Sequence, residues 1–258
     1  MKTPSRSLAA TLLFFLCGCP KASSAPAGTD ASSVPSSSPS TSSASATSTG
    51  AVPSQAAPSS TKLGDIRFLA LGDSLTQGVG APDPDSGSWP FFLSGKWRDA
   101  GCKVELKNPA IAGYTSADVI RDELKEIDAF KPNFITILVG GNDIVHNVPL
   151  ATYRKNLKTI FAAAKKSGAR VVVLPQNEWF NSPRGPDFGT DLPSKRATFD
   201  TALIEETKLA GVEFLDLRPL FKAQAAKKQW SDDDIHPTID AYKAWAAEMA
   251  KTIPHPCK

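Results

Sequence analysis

Ser74, Asp233 and His236 are the residues of this 258-residue chain whose types and spacing best suit shared chemistry. Ser74 ends the run Phe68-Leu69-Ala70-Leu71-Gly72-Asp73-Ser74, where an apolar stretch breaks abruptly into turn-forming residues. A serine hydroxyl attacks a carbonyl at neutral pH only when a base beside it removes its proton. An imidazole, ordinarily titrating near pH 6.5, can take that proton and later return it. A carboxylate three residues before the imidazole shares one tight turn with the ring, fixes its tautomer and stabilises its cation. Asp233 stands at that offset from His236, while Asp232, four residues before, would serve if the turn were helical, and Asp234 reads as a solvated loop acid. Asp143 and His146 repeat the same spacing and compete for the role of base. Three scattered histidines offer no recognisable pair of metal ligands, so neither a metal nor a cofactor is expected. The pair Gly78 and Gly80 suggests a nucleotide loop only superficially, because Asp83 stands where the third glycine would be needed.

These residues need elements to position them. Residues 66–71, 104–107, 133–139, 170–174 and 212–215 read as five strands, the third apolar but for Asn133 and Thr136, as a central parallel strand should be. Between them lie helical segments. Ser88 can cap a helix to about residue 100, with Pro90 in its first turn. Thr115 or Ser116 can cap another, in which Val119, Ile120, Leu124, Ile127 and Phe130 recur at helical spacing. Residues 150–167 and 194–210 stop at Gly168 and Gly211, and residues 238–253 form the last helix. A proline-rich loop, 176–193, is long enough to carry function. Such alternation predicts an α/β fold: one three-layer α/β/α domain around a five-stranded parallel sheet, in the flavodoxin-like order 2-1-3-4-5. His255 then falls at the end of the sheet away from Ser74.

The first quarter of the chain has a different texture. Lys2 and Arg6 precede a nine-residue apolar run, 8–16, too short to span a bilayer, so residues 1–18 read as a secretory signal. Residues 19–62 are mostly Ser, Ala, Pro, Thr and Gly without an aromatic side chain, the composition of a disordered tether. Its expected span is on the order of 35 Å. The folded domain is placed at 63–258. The formal charge of +3 falls to +1 without Lys2 and Arg6, which excludes a nucleic-acid surface as an expectation. A monomer is expected. Two cysteines remain in the domain, Cys102 and Cys257; outside the cytoplasm such a pair can form a disulfide.

Four blocks follow in order: Gly72-Asp73-Ser74-Leu75, Asn108-Pro109-Ala110-Ile111-Ala112-Gly113, Gly140-Gly141-Asn142-Asp143 and Asp233-Asp234-Ile235-His236-Pro237. Together they resemble the SGNH hydrolases, the GDSL esterase/lipase superfamily, over nearly all of residues 64–253. The likeness is greatest to the lysophospholipase/arylesterase/thioesterase branch, in which a polar residue often stands at the place of Tyr114. The resemblance implies a serine ester hydrolase acting on acyl or aryl esters, lysophospholipids or thioester-like substrates through an acyl-Ser74 intermediate. It places the base in the last block, at His236, leaving His146 at the surface or the pocket rim. It also implies an oxyanion hole made by the N–H groups of Ser74 and Gly113 and the amide of Asn142. Lacking a Cβ, Gly113 would let its N–H approach a substrate closely. Leu75, Ile111, Tyr114, Val145, Trp179 and Phe180 are expected to line the substrate pocket. Two other functions fit the same chain: an O-acetyl esterase on envelope or extracellular polysaccharide, and a catalytically silent envelope-binding lipoprotein. Leu16-Cys17-Gly18-Cys19 resembles the bacterial lipobox, implying lipid on Cys19 and an exported, membrane-anchored lipoprotein of the cell envelope.

Overall fold

A computed structural model describes residues 64–254 and 256–257. The signal expected at 1–18, Cys19, the tether and His255 lie outside the described residues.

The chain enters on β1 (Ile66–Gly72) and turns into α1 (Ser74–Gln77), and α2 (Pro84–Gly87) and α3 (Trp89–Asp99) lead to β2 (Val104–Lys107). Then come α4 (Ser116–Asp118), a π-helical turn (Val119–Glu123), α5 (Lys125–Phe130) and β3 (Phe134–Leu138). The third crossover is α6 (Gly141–Val145) and α7 (Leu150–Lys166), ending in β4 (Arg170–Val173). Two 3₁₀ turns, Trp179–Asn181 and Gly185–Phe188, cross to α8 (Leu192–Ala210) and β5 (Glu213–Phe214), followed by α9 (Arg218–Ala226) and α10 (Ile239–Thr252). All strand pairs are parallel, in the order β2-β1-β3-β4-β5.

Strand periodicity builds both cores. Successive side chains point to opposite faces, so Leu69, Leu71, Ile135 and Ile137 pack on one face against Leu157 and Phe161 of α7. Phe68, Ala70, Phe134 and Leu138 meet Trp89, Trp97 and Trp245 on the other face. The result is three layers, helix–sheet–helix. Every strand delivers its C-terminal end to one edge, where Ser74 emerges.

Several elements differ from their sequence-based bounds. Ser88 occupies the N-cap of α3 but its side chain makes no cap hydrogen bond; it is buried instead. Thr115 does cap the next helix, with Asp118 completing a capping box. That helix is interrupted after one turn by the π-helical turn. The helix expected from Ser194 begins at Leu192, with Pro193 in its first turn where the missing N–H costs nothing. β5 contracts to two residues. Helix α9, amphipathic but short, went unpredicted. Cys102 and Cys257 are joined by a disulfide, with Cα atoms 5.7 Å apart. Closing a span of 155 residues is worth about 5 kcal/mol in the chain-entropy model.

Candidate active site

Ser74 is the first residue of α1 and stands just past the tip of β1. Asp73 caps this short helix, its Oδ1 accepting from the Leu75 N–H at 3.0 Å. Its Oδ2 accepts from the Gln176 amide at 3.2 Å. Complete burial pushes the Asp73 carboxyl up to about 7, against the lowering effect of those two hydrogen bonds.

His236 arrives from the other end of the chain on a closed loop. An antiparallel bridge joins Trp230 to Pro237, and the Ser231 N–H donates to the His236 carbonyl at 2.8 Å. Gly80 lets this loop sit close to the segment after α1. A Cβ there would lie 2.5 Å from the Pro237 oxygen and 3.0 Å from the His236 Cβ. Gly80 therefore serves packing beside the site, while Gly78 makes room for Ser88 and Pro84.

The two halves meet directly. Ser74 Oγ lies 2.9 Å from His236 Nε2, and His236 Nδ1 lies 2.6 Å from Asp233 Oδ2. With the proton on Nδ1, that nitrogen donates to Asp233 and Nε2 is left to accept the serine proton. Asp233 Oδ1 accepts from the N–H groups of His236 and Ile235 and from the Ser231 hydroxyl, at 2.8–3.0 Å. Partial burial raises the Asp233 carboxyl, but the hydrogen bonds of His236 and Ile235 outweigh it and bring it down to about 2. Asp232 and Asp234 are exposed. His146 is exposed at the end of α6, and the side chain of Asp143 turns to Ser116 instead, at 2.5 and 2.8 Å.

Gly113 and Asn142 line the same cavity as Ser74 and His236. Gly113 has φ +85, a backbone that side chains rarely adopt, and the space where a Cβ would stand is open. The neighbouring Ala112 N–H donates to Gln77 Oε1 at 2.8 Å, tying this loop to α1. Asn142 donates one amide hydrogen to the Tyr114 carbonyl at 3.0 Å, which orients the amide and leaves its second hydrogen for the cavity.

The cavity holds about 240 Å³. Of the residues expected to line it, Leu75, Val145 and Trp179 do. Ile111, Tyr114 and Phe180 do not. Ile111 faces solvent. Tyr114 sends its hydroxyl to Asp122 at 2.9 Å. The Phe180 ring packs beneath the Arg196 guanidinium, 5.7 Å away. Gln176, Arg184, Phe188 and Ile235 line the cavity without having been foreseen. Arg184 pairs with Asp187 at 3.3 Å. Its backbone N–H donates to the Asp234 carbonyl, which seats the long loop against the histidine loop. Long-range loop docking of this kind has no local sequence signal, although the Ile235 position beside His236 could have suggested it. Among the described residues, no group of three His, Cys, Asp or Glu side chains could hold a metal ion.

A strand-tip serine and a histidine held by a carboxylate, with Gly113 and Asn142 beside them around one cavity, are the arrangement of an α/β serine hydrolase site. Residues 70–244 match the model of the GDSL-like lipase/acylhydrolase family. An arylesterase of Vibrio mimicus is 30% identical over 185 residues, covering 71% of this chain and 85% of the relative. The chain belongs to the GDSL/SGNH family and is a carboxylic ester hydrolase. Among solved structures, the psychrotrophic esterase EstA from Pseudoalteromonas sp. superposes with a TM-score of 0.61 at 19% identity, covering 72% of this chain and 96% of its own. The acetylxylan esterase Axe2 of Geobacillus stearothermophilus gives 0.61 at 16% identity, covering 75% and 96%. At those identities the two share the fold.

Proposed function

We propose that Ser74 is the acylated nucleophile, His236 the general base and acid, Asp233 its orienting carboxylate, and the enzyme's substrates esters of short acyl chains, including aryl esters. The unbroken line from Ser74 Oγ through His236 to Asp233 carries this reading. In the first half-reaction His236 Nε2 takes the serine proton as Oγ bonds to the carbonyl carbon. The negative charge that forms on the carbonyl oxygen is met by the N–H groups of Ser74 and Gly113 and by the Asn142 amide. As the intermediate collapses, the ester C–O bond breaks and His236 returns its proton to the leaving alcohol. Water then attacks the acyl carbon, giving a proton to His236, and the acid leaves as Ser74 regains its hydrogen.

Cavity size supports the short acyl preference. A volume of 240 Å³ falls below the range of roughly 300–1,000 Å³ usual for drug-sized ligands. Across a series of p-nitrophenyl esters, kcat/KM is expected to peak between acetate and butyrate and to fall beyond about eight carbons. A rise with chain length would refute the preference and favour lysophospholipids. The same small cavity suits acetyl groups on polysaccharides, as acted on by Axe2. Release of acetate from acetylated xylan faster than from p-nitrophenyl acetate would favour that second reading.

Export and anchoring through a lipid on Cys19 form part of the proposal, resting on the signal-like start and the Ser/Pro-rich segment after it. Globomycin-sensitive processing in a bacterial host would support it; unaltered processing would refute it.

A further inference from the structure

β1 outruns its neighbour. Pairing with β2 ends at Leu69 opposite Lys107, whereas pairing with β3 continues to Gly72 opposite Leu138. The Ile66 N–H points toward β2, donating to the Lys103 carbonyl. By strand alternation the N–H groups of Ala70 and Gly72 point the same way. At Gly72 no strand remains on that side, and a buried N–H without a partner is costly. The donor is met by a side chain instead: Glu123 Oε2 accepts from Gly72 N–H at 2.9 Å.

Glu123 is the last residue of the π-helical turn and is 1% exposed. The wider turn closes with Leu124 N–H on the Val119 carbonyl, five residues back. Such turns are rare and frequent at functional sites. The second oxygen, Oε1, is buried with no hydrogen-bond partner among the described residues. The charged groups that act on Glu123 are the acids Asp73 at the end of β1, Asp122 in the same turn and Asp118 in α4.

We propose that Glu123 is a positioning residue for the reaction: its carboxyl stands in for the missing strand, fixing Gly72 and so the turn from which Ser74 reaches His236. This rests on Ser74 being the nucleophile. Gly72 is two residues before Ser74, and a displacement of about 1 Å at a reacting atom can cost 10²-fold in rate. Burial, reinforced by Asp73, pushes the Glu123 carboxyl up to about 8, so at neutral pH it holds Gly72 without a buried charge. Above that pH the ionised group becomes a buried charge with one oxygen unpartnered, which disturbs the turn it holds.

The test uses the full-length enzyme and p-nitrophenyl acetate. Glu123→Ala is expected to lower kcat about tenfold or more while KM stays within about twofold, because alignment is lost and binding is kept. Glu123→Gln keeps an oxygen for the Gly72 N–H and should retain about a third of kcat or more. It should also lose turnover much less steeply than wild type between pH 7 and 9. A folded Glu123→Ala with wild-type kcat would overturn the proposal, as would Glu123→Gln with the wild-type alkaline loss. If the Ala variant does not fold, the Gln pH profile decides alone. Fluorophosphonate labelling lost in Ser74→Ala secures the nucleophile separately, so failure of the Glu123 role and failure of the esterase reading remain distinguishable.

Discussion

Asp233, on the histidine loop, and Asp73, beneath the serine, are the same chemical group in opposite surroundings. Asp233 is partly open to solvent and receives hydrogen bonds from two backbone N–H groups, a hydroxyl and the imidazole. It is held near 2. Asp73 is wholly buried, receives one backbone N–H and one amide, and sits near 7. Burial decides the difference: the wholly buried carboxyl keeps its proton in spite of its donors, whereas hydrogen bonds outweigh the partial burial of the other. Negative charge is thereby concentrated behind His236, where an imidazolium forms. On the serine side, where an oxyanion forms, the acids Asp73 and Glu123 are weak ones.

The contrast can be broken by mutation. The largest effect is expected at the meeting point itself. Ser74→Ala and His236→Ala should each reduce kcat on the order of 10⁵-fold or more in p-nitrophenyl acetate hydrolysis, with the circular dichroism spectrum retained. If His146→Ala were as damaging and His236→Ala active, the base would be misassigned. Next come the two carboxylates. Asp233→Asn should cost on the order of 10³–10⁴-fold in kcat, since the wrong tautomer is then favoured. Asp73→Asn should cost less than about tenfold, because an amide still caps α1. Equal losses would erase the distinction between the two groups.

Stability sharpens the comparison at a smaller scale. Asp73 and Glu123 bind protons more tightly folded than unfolded, so their contribution is complete below about pH 4 and is lost as pH rises toward 7 and 8. Asp233 acts in the opposite sense: its contribution is present above about pH 4 and is lost as pH falls toward 2. Thermal unfolding followed from pH 4.5 to 8 should show a declining midpoint, with a gentler decline in Glu123→Gln. A midpoint that rises with pH across that interval would contradict the buried-acid assignment.

Most of the sheet was legible because a strand buried on both faces reads as a nearly continuous apolar run, as in residues 134–138, where Thr136 alone interrupts it. The serine–histidine pairing was legible because the residues it needs sit at strand ends and at a fixed offset. The pocket was legible only in part. Position on the right loop does not say which way a side chain points: Tyr114 shares the loop of Gly113 yet turns to Asp122, and Phe180 follows Trp179 yet turns to Arg196. Helix α9 has few strongly apolar residues, and its docking depends on Phe221 meeting Trp245 across the layer, ring centroids 4.5 Å apart. The role of Glu123 depends on where β2 stops, which is a property of three segments at once.

The disulfide lies just before β2 and just after α10, and β1 begins at the same pole, so the chain enters and leaves the folded unit on the side opposite the cavity mouth. A bead, surface or fusion partner joined directly at residue 64 or at residue 257 would therefore start from the face of the folded unit away from the cavity.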